Sequence, residues 1–293
     1  VAVRESLLAG KDVFVEKPLC LSVRDGEELV ALARKQERIL MVGHLLWYHP
    51  AILKLRELIG AGELGRIQYI YSNRLNLGKI RREENILWSF APHDISVILG
   101  LLNEMPDGVR AQGGNYLHEQ IADVTISLLS FPSGVKAHIF VSWLHPFKEQ
   151  KLVVVGERKM AVFDDLEKKD KLLLYPHSID WKNNIPIANK ADAQPVELDT
   201  EEPLRAECRH FLERVADRKR PRTDGEEGLR VLSVLHRCQE ALARETHRQE
   251  KQEPQVQPTQ RKYFAHESAF VDNGVEIGEG TSIWHTSHIL KGS

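Results

Sequence analysis

The apolar positions change period along the chain, and each change marks a different kind of element. Residues 3–10 read as a helix closing on a glycine, Lys11 and Asp12 as a tight turn, and residues 13–15 as a short buried strand. Residues 22–38 mix Leu29, Val30, Leu32 and Ala33 with charges, the pattern of a half-buried helix, and residues 39–43 form a second short apolar run. That succession predicts a β-α-β edge of a parallel sheet. A further helix over about residues 51–59 ends at Gly60 and Gly62. From Arg66 the period falls to two, predicting strands over 67–76, 109–116, 124–131, 135–143 and 152–155. In the fourth of these Ala137, Ile139, Val141 and Trp143 alternate with Lys136, His138, Phe140 and Ser142, and Pro132-Ser133-Gly134 supplies the preceding turn. The pattern predicts a mainly antiparallel sheet with one covered face, whose open face would serve a homo-oligomer. Two helices follow: one over 203–217 with Leu204, Cys208, Phe211 and Val215 on a stripe, and one opening at Asp224, a capping carboxylate with Glu227 three residues on.

Composition narrows the function classes. The 293 residues are 42% hydrophobic and 28% charged, enough for about two domains with a substantial core. A net charge of −2 gives no basic field of the kind that nucleic acid or an anionic membrane surface demands. The longest apolar runs fall far short of a membrane span and no signal pattern opens the chain, so the expected location is cytoplasmic. Three cysteines, Cys20, Cys208 and Cys238, lack CxxC spacing, and no metal site is expected.

Two short motifs carry chemistry. Glu16-Lys17-Pro18 ends an apolar strand and so sets a lysine at the strand's carboxyl end, the edge where open α/β sheets bind ligands; the bland alternative is a solvated lysine. Residues 88–95, Trp-Ser-Phe-Ala-Pro-His-Asp-Ile, place Pro92 where a helix would begin, with Ile95, Ile98, Leu99 and Leu102 as an apolar stripe behind His93. A histidine near a helix N-terminus is held neutral by the dipole, the form a general base needs; the alternative is a capping or packing residue. Asp94, adjacent on that helix, points about 100° away and reads as a first-turn acid.

With these motifs the sequence resembles the Gfo/Idh/MocA family of nicotinamide-dependent oxidoreductases. The resemblance implies that Lys17 reaches a substrate hydroxyl, that His93 is the base facing it, and that Glu16, Lys17, Pro18 and His44 line the NAD (or NADP) site. Residues 43–50 resemble the family's crossing between domains, with His49 where asparagine is commoner. Ser89 stands where the family usually has an aspartate one turn before the histidine, which leaves the tuning of His93 open. Residues 79–96 resemble the branch that oxidises the 3-hydroxyl of UDP-N-acetylglucosaminuronate. Arginine forks suit the diphosphate and carboxylate of such a sugar nucleotide, which makes Arg74, Arg81 and Arg82 candidate substrate ligands, with Asn76 and Trp88, against the alternative of a solvated basic loop. No GxGxxG follows a strand anywhere, and the chain opens on Val1 inside a helical pattern, so the expectation is an N-terminally truncated dinucleotide domain.

Residues 246–262 hold five glutamines and two prolines and read as a linker. Beyond it Ala265, Val271, Ile277, Ile283 and Ile289 recur every six residues, the period of a hexapeptide left-handed β-helix, and the segment resembles the opening coils of sugar-nucleotide N-acetyltransferases. His285 and His288 there are either acyl-transfer bases or turn residues. The expected fold is therefore α/β plus α+β. It comprises the C-terminal edge of a Rossmann-type dinucleotide domain (1–50), an α+β substrate domain (51–245), the linker, and a β-helix stub (263–293). The expected function is NAD-dependent oxidation of a sugar-nucleotide hydroxyl; a family oxidoreductase acting on a free sugar or inositol, or a non-catalytic assembly module, are the alternatives.

Overall fold

A computed structural model describes residues 1–252, 263–272 and 275–290, and the chain divides into two compact units, Val1–His247 and Arg248–Ser293. The first unit opens with α1 (Ala2–Leu8), β1 (Val13–Glu16), α2 (Val23–Lys35) and β2 (Leu40–Gly43), and β1 pairs with β2 in parallel, Val13 opposite Leu40 and Glu16 opposite Gly43. Leu7, Leu29, Ala33, Leu40 and Val42 form a small core between the helices and this pair. Ser22 caps α2, its side chain accepting from the Asp25 N–H. The two carboxyl ends, Glu16-Lys17 and Gly43-His44, thus emerge side by side. A 3₁₀ turn at Leu45–Tyr48 leads into α3 (Pro50–Gly60), and the buried Trp47 and Tyr48 turn the chain toward the second layer.

That layer is an eight-stranded sheet. Its strands are β3 (Ile67–Leu75), then, after α4 (Ile86–Leu102), β4 (Gly108–Gly114), β5 (Val124–Ser130), β6 (Lys136–Ser142), β7 (Glu149–Gly156), β8 (Met160–Asp164) and β9 (Leu172–Tyr175); an exposed hairpin of β10 (Ser178–Lys182) and β11 (Ile185–Asn189) precedes the last, β12 (Gln194–Pro195). The spatial order is β12-β9-β8-β7-β3-β6-β5-β4, and every pair is antiparallel except β3 with β6. Pleating separates two faces. Leu129, Ala137, Ile70, Val154 and Ala161 run across neighbouring strands and are at most 1% exposed, covered on the side where α4 packs. One residue along, Leu128, His138, Tyr71, Val153 and Val162 form the matching row on the less covered face, with Leu128 half exposed, Val153 buried and the Tyr71 and His138 rings stacked 5.3 Å apart.

Helix α5 (Pro203–Asp217) packs Phe211 against Phe14 of β1, ring centroids 5.6 Å apart. Helix α6 (Gly225–Gln252) follows Asp224, whose Oδ1 accepts from the Glu227 N–H at 2.9 Å as a cap should. It runs on through residue 252, so residues 246–252 of the expected linker are helical, and the remainder, 253–262, lies outside the described residues. Helical propensity explains the difference, because Arg, Gln, Glu and Lys continue a helix already nucleated by the packed turns before them.

In the second unit β13 (Phe264–Ala265) pairs in parallel with β15 (Ser282–Ile283), and β14 (Phe270–Val271) with β16 (His288–Ile289). Phe264 faces Ser282 and Phe270 faces His288, each 18 residues apart, three times the six-residue period.

Candidate active site

Lys17 stands at the carboxyl end of β1, in a cis peptide bond to Pro18, and its Nζ donates to the main-chain oxygen of Ser89 at 2.7 Å. Burial pushes the Lys17 amine down, with Arg81 and Arg74 adding to the effect and Glu84 and Glu16 opposing it. Ser89 lies one helical turn before His93, so the lysine is tied to the backbone of the helix that carries the histidine. The expected helix start at Pro92 is corrected: α4 begins at Ile86, capped by the Asn85 side chain accepting from the Trp88 N–H at 3.2 Å, and Pro92 lies inside it. A proline there leaves one carbonyl in the preceding turn without its helical donor, a tolerable loss that the sequence pattern reads as a boundary.

His93 is consequently not at a helix N-terminus, and the dipole does not account for its state. Its imidazole is nonetheless pushed well below the usual histidine range, chiefly by burial, with Arg74, Lys17 and His44 each adding repulsion. Its Nδ1 is buried without a hydrogen-bond partner. A neutral imidazole among cations, with one ring nitrogen unengaged, has the protonation state for accepting a proton from a hydroxyl group.

The arginine beside it is held in turn. Arg74 donates from Nε and from a terminal nitrogen to the two oxygens of Asp94, at 3.0 and 3.2 Å, and the Ser72 hydroxyl donates to the same carboxylate at 2.6 Å. Burial works against the Arg74 charge, and the Asp94 carboxylate overrides it, so its pKa rises. Asp94 is therefore a buried anchor for Arg74, well inside α4 and not the first-turn acid its spacing predicts, and Arg74 is engaged inside the protein. His44 is likewise engaged, 2% exposed, with Nδ1 2.5 Å from Glu227 Oε2. Glu16 is exposed at the end of β1, where a Cβ on Gly43 would come within 3.3 Å of its carboxylate.

Arg82 and Trp88 line one cleft of about 540 Å³ together with Leu21, Glu84, His118 and Gln120. The Trp88 Nε1 donates to Gln239 Oε1 at 3.1 Å, and the Asn85 amide donates to the same oxygen at 2.8 Å, fixing the wall. Arg81 pairs with Glu84 at 3.1 Å at its edge. Asn76 lies elsewhere, just beyond β3, its side-chain amide over Gly78. Among the described residues no group of three or more His, Cys, Asp or Glu side chains is arranged to hold a metal ion, and no helix is long and apolar enough to cross a membrane. The partners that sequence reasoning missed, Ser72, Ser96, Glu227 and Gln239, are ordinary polar residues on helices and strands. The only signal among them is the Asp224–Glu227 spacing, which correctly gives the cap but not the inward turn of the glutamate.

Fold and site together define a class: a Rossmann-type, NAD-binding part followed by a mixed sheet domain with flanking helices. An oxidoreductase family model with an NAD-binding Rossmann fold matches residues 2–44, and the GFO/IDH/MocA C-terminal domain matches residues 52–162. Over these two stretches the chain resembles the Gfo/Idh/MocA oxidoreductases. It is 26% identical over 230 residues to UDP-N-acetylglucosamine 3-dehydrogenase of Acidithiobacillus ferrooxidans, a stretch covering 78% of this chain and 70% of that protein. A solved structure of that enzyme superposes with a TM-score of 0.72 at 25% identity, covering 82% and 74% of the two chains. Inositol 2-dehydrogenase of Salmonella paratyphi B is 26% identical over 163 residues, but the match spans only 48% of that relative. An inositol dehydrogenase homologue from Azotobacter vinelandii, solved with NADH and myo-inositol, shares the fold at 17% identity with a TM-score of 0.67 over 83% and 72% of the chains.

Proposed function

We propose that this chain serves NAD-dependent oxidation of a sugar-nucleotide hydroxyl, with C3 of UDP-N-acetylglucosaminuronate as the substrate position. The observation that carries the reading is the tie between Lys17 and the Ser89 carbonyl, which brings a partly desolvated lysine onto the helix of an unprotonated histidine. In this reading Lys17 polarises the hydroxyl oxygen and His93 Nδ1 or Nε2 takes its proton. NAD fits the site at one end: the parallel strand ends at Glu16 and Gly43 offer the edge at which such folds place a nicotinamide, with Lys17 and Pro18 beside it. When bound, it supplies the acceptor for the hydride leaving the same carbon. Arg82 and Trp88 would meet the sugar nucleotide from their cleft, with Arg81 at its edge, while Arg74 acts through its charge and His44 from behind the wall.

The name of the Acidithiobacillus relative supports a UDP-sugar over a free sugar or inositol. The less covered sheet face supports a homo-oligomer, and a cytoplasmic location is part of the same reading. The 18-residue offset in the second unit supports the opening of a left-handed β-helix, and with it a fused acetyltransferase that would act on an amine made from the 3-keto product. The test is oxidation of UDP-N-acetylglucosaminuronate, UDP-N-acetylglucosamine and myo-inositol, each with NAD and NADP, in a form of the protein joined to a glycine-loop segment. Faster turnover of inositol would overturn the sugar-nucleotide reading. Because the 293 residues hold no GxGxxG between a strand and a helix, the match at Gly60, Gly62 and Gly65 following α3 instead, calorimetry on this chain alone should find only weak NAD binding.

A further inference from the structure

The start of α6 is pressed against β2 more closely than helix and strand ordinarily allow. A Cβ on Gly225 would lie 2.8 Å from Leu40 Cδ2, and one on Gly228 2.6 Å from Val42 Cγ2. The Val42 N–H donates to the Thr223 oxygen at 2.8 Å, and Met41 bridges to Asp224. Between the two glycines Glu227 turns inward. Its Oε1 accepts from the Ser96 hydroxyl at 2.5 Å and its Oε2 meets His44 Nδ1 at 2.5 Å, with all three residues at most 6% exposed. Ser96 is three residues beyond His93 on α4, the same helical face within one turn. One buried carboxylate therefore joins the end of β2, the helix bearing the proposed base, and the last helix.

We propose that Glu227 is a positioning residue for this site, fixing the tautomer and orientation of His44 beside His93 through the Nδ1 contact, with Gly225 and Gly228 allowing the helix to come close enough. The reading rests on His93 as the base. With Oε1 already accepting from Ser96, the carboxylate has only acceptor capacity to offer, so His44 carries its proton on Nδ1 and its Nε2 is set by that choice. A glutamine at 227 would offer either its oxygen or its NH₂ to the ring and would no longer select one tautomer.

The experiment is ¹⁵N–¹H NMR of the histidine rings in the 293-residue chain, native and with Glu227→Gln, Glu227→Asp and Gly228→Ala, beside thermal unfolding of each. We expect a single Nδ1–H form for His44 in the native protein, mixed tautomers in Glu227→Gln and Gly228→Ala, and recovery of one form in Glu227→Asp. An unprotonated His44 Nδ1 in the native chain, or a single unchanged tautomer in folded Glu227→Gln, overturns the proposal. In the cofactor-competent protein, Glu227→Gln should lower kcat about tenfold with KM within about twofold, the division expected of positioning; a loss confined to KM counts against it. Native turnover by His93→Asn would instead refute the base assignment, and the tautomer result distinguishes that failure from this one.

Discussion

At the scale of single residues, charge does most to separate this site from its expected form. The sequence offers a lysine at a strand end and a histidine after a proline, and the lysine is tied to the Ser89 carbonyl one turn before that histidine. The reason for the neutral histidine was not readable. Arg74 is 19 residues away and comes near only because β3 packs beneath α4, a contact no local pattern encodes. Replacing Arg74 by Met removes a cation and frees the Asp94 carboxylate, and both effects raise the His93 pKa. The acidic limb of kcat/KM should lie below pH 6.5 in the native enzyme and move upward in Arg74→Met, as a pH–rate profile would reveal. Lys17→Met should lower kcat by about 100-fold or more with little change in KM, since the polarising charge acts mainly in the transition state. A second buried group bears on stability. Glu207 on α5 is 2% exposed, has one carboxyl oxygen without a partner, and is pushed up to about 8 by burial, with Glu16 adding repulsion. The native state holds this proton to higher pH than the unfolded chain, so the stabilisation is complete below about 4.5 and is lost as pH rises through about 8. The loss is on the order of 4 kcal/mol across that window, and Glu207→Gln should flatten it in denaturant titrations run from pH 5 to 9.

Among the elements, α4 repays the closest comparison with its sequence. Its apolar stripe was legible from Ile95 onward, yet its first two turns were hidden by Pro92. The opening residues Ile86 and Leu87 are wholly buried, so tertiary packing outweighs a proline that elsewhere marks a boundary. The same helix contains Gly100, where a Cβ would fall 1.7 Å from Trp47 Cζ2. Trp47 is held by its Nε1–H donating to the Ser96 oxygen at 3.2 Å and has no room to withdraw. Gly100→Ala should therefore cost about 3 kcal/mol despite its better helix propensity, read as a fall in the unfolding midpoint. An alanine that stabilised the protein would show that Trp47 can swing aside. The strands were easier: the sequence pattern found β3 through β6 to within two residues and β7 without its first three, whereas β8 and β9 are too short and too uniformly apolar to carry a period.

For the whole molecule, alternation announced a sheet with one covered face but not its strand order, because pairing partners are chosen by shape and contact across long stretches of chain. The less covered row gives a test of the proposed homo-oligomer: Leu128→Arg should shift sedimentation toward the monomer while leaving the unfolding free energy within about 0.5 kcal/mol. An unchanged oligomeric state would remove this face from the interface. The single parallel pair has an effect in time as well as in space. Strand β3, residues 67–75, finds its neighbours in β6 and β7, so one of its edges stays open until residue 142 has been made and the other until residue 156. During synthesis a wholly buried Ile70 and the stretch around it must wait through α4, β4 and β5 before they are enclosed. That wait makes the nascent chain slow to mature and prone to stick to its own kind, and the unpaired third strand is where a chaperone would have most to protect.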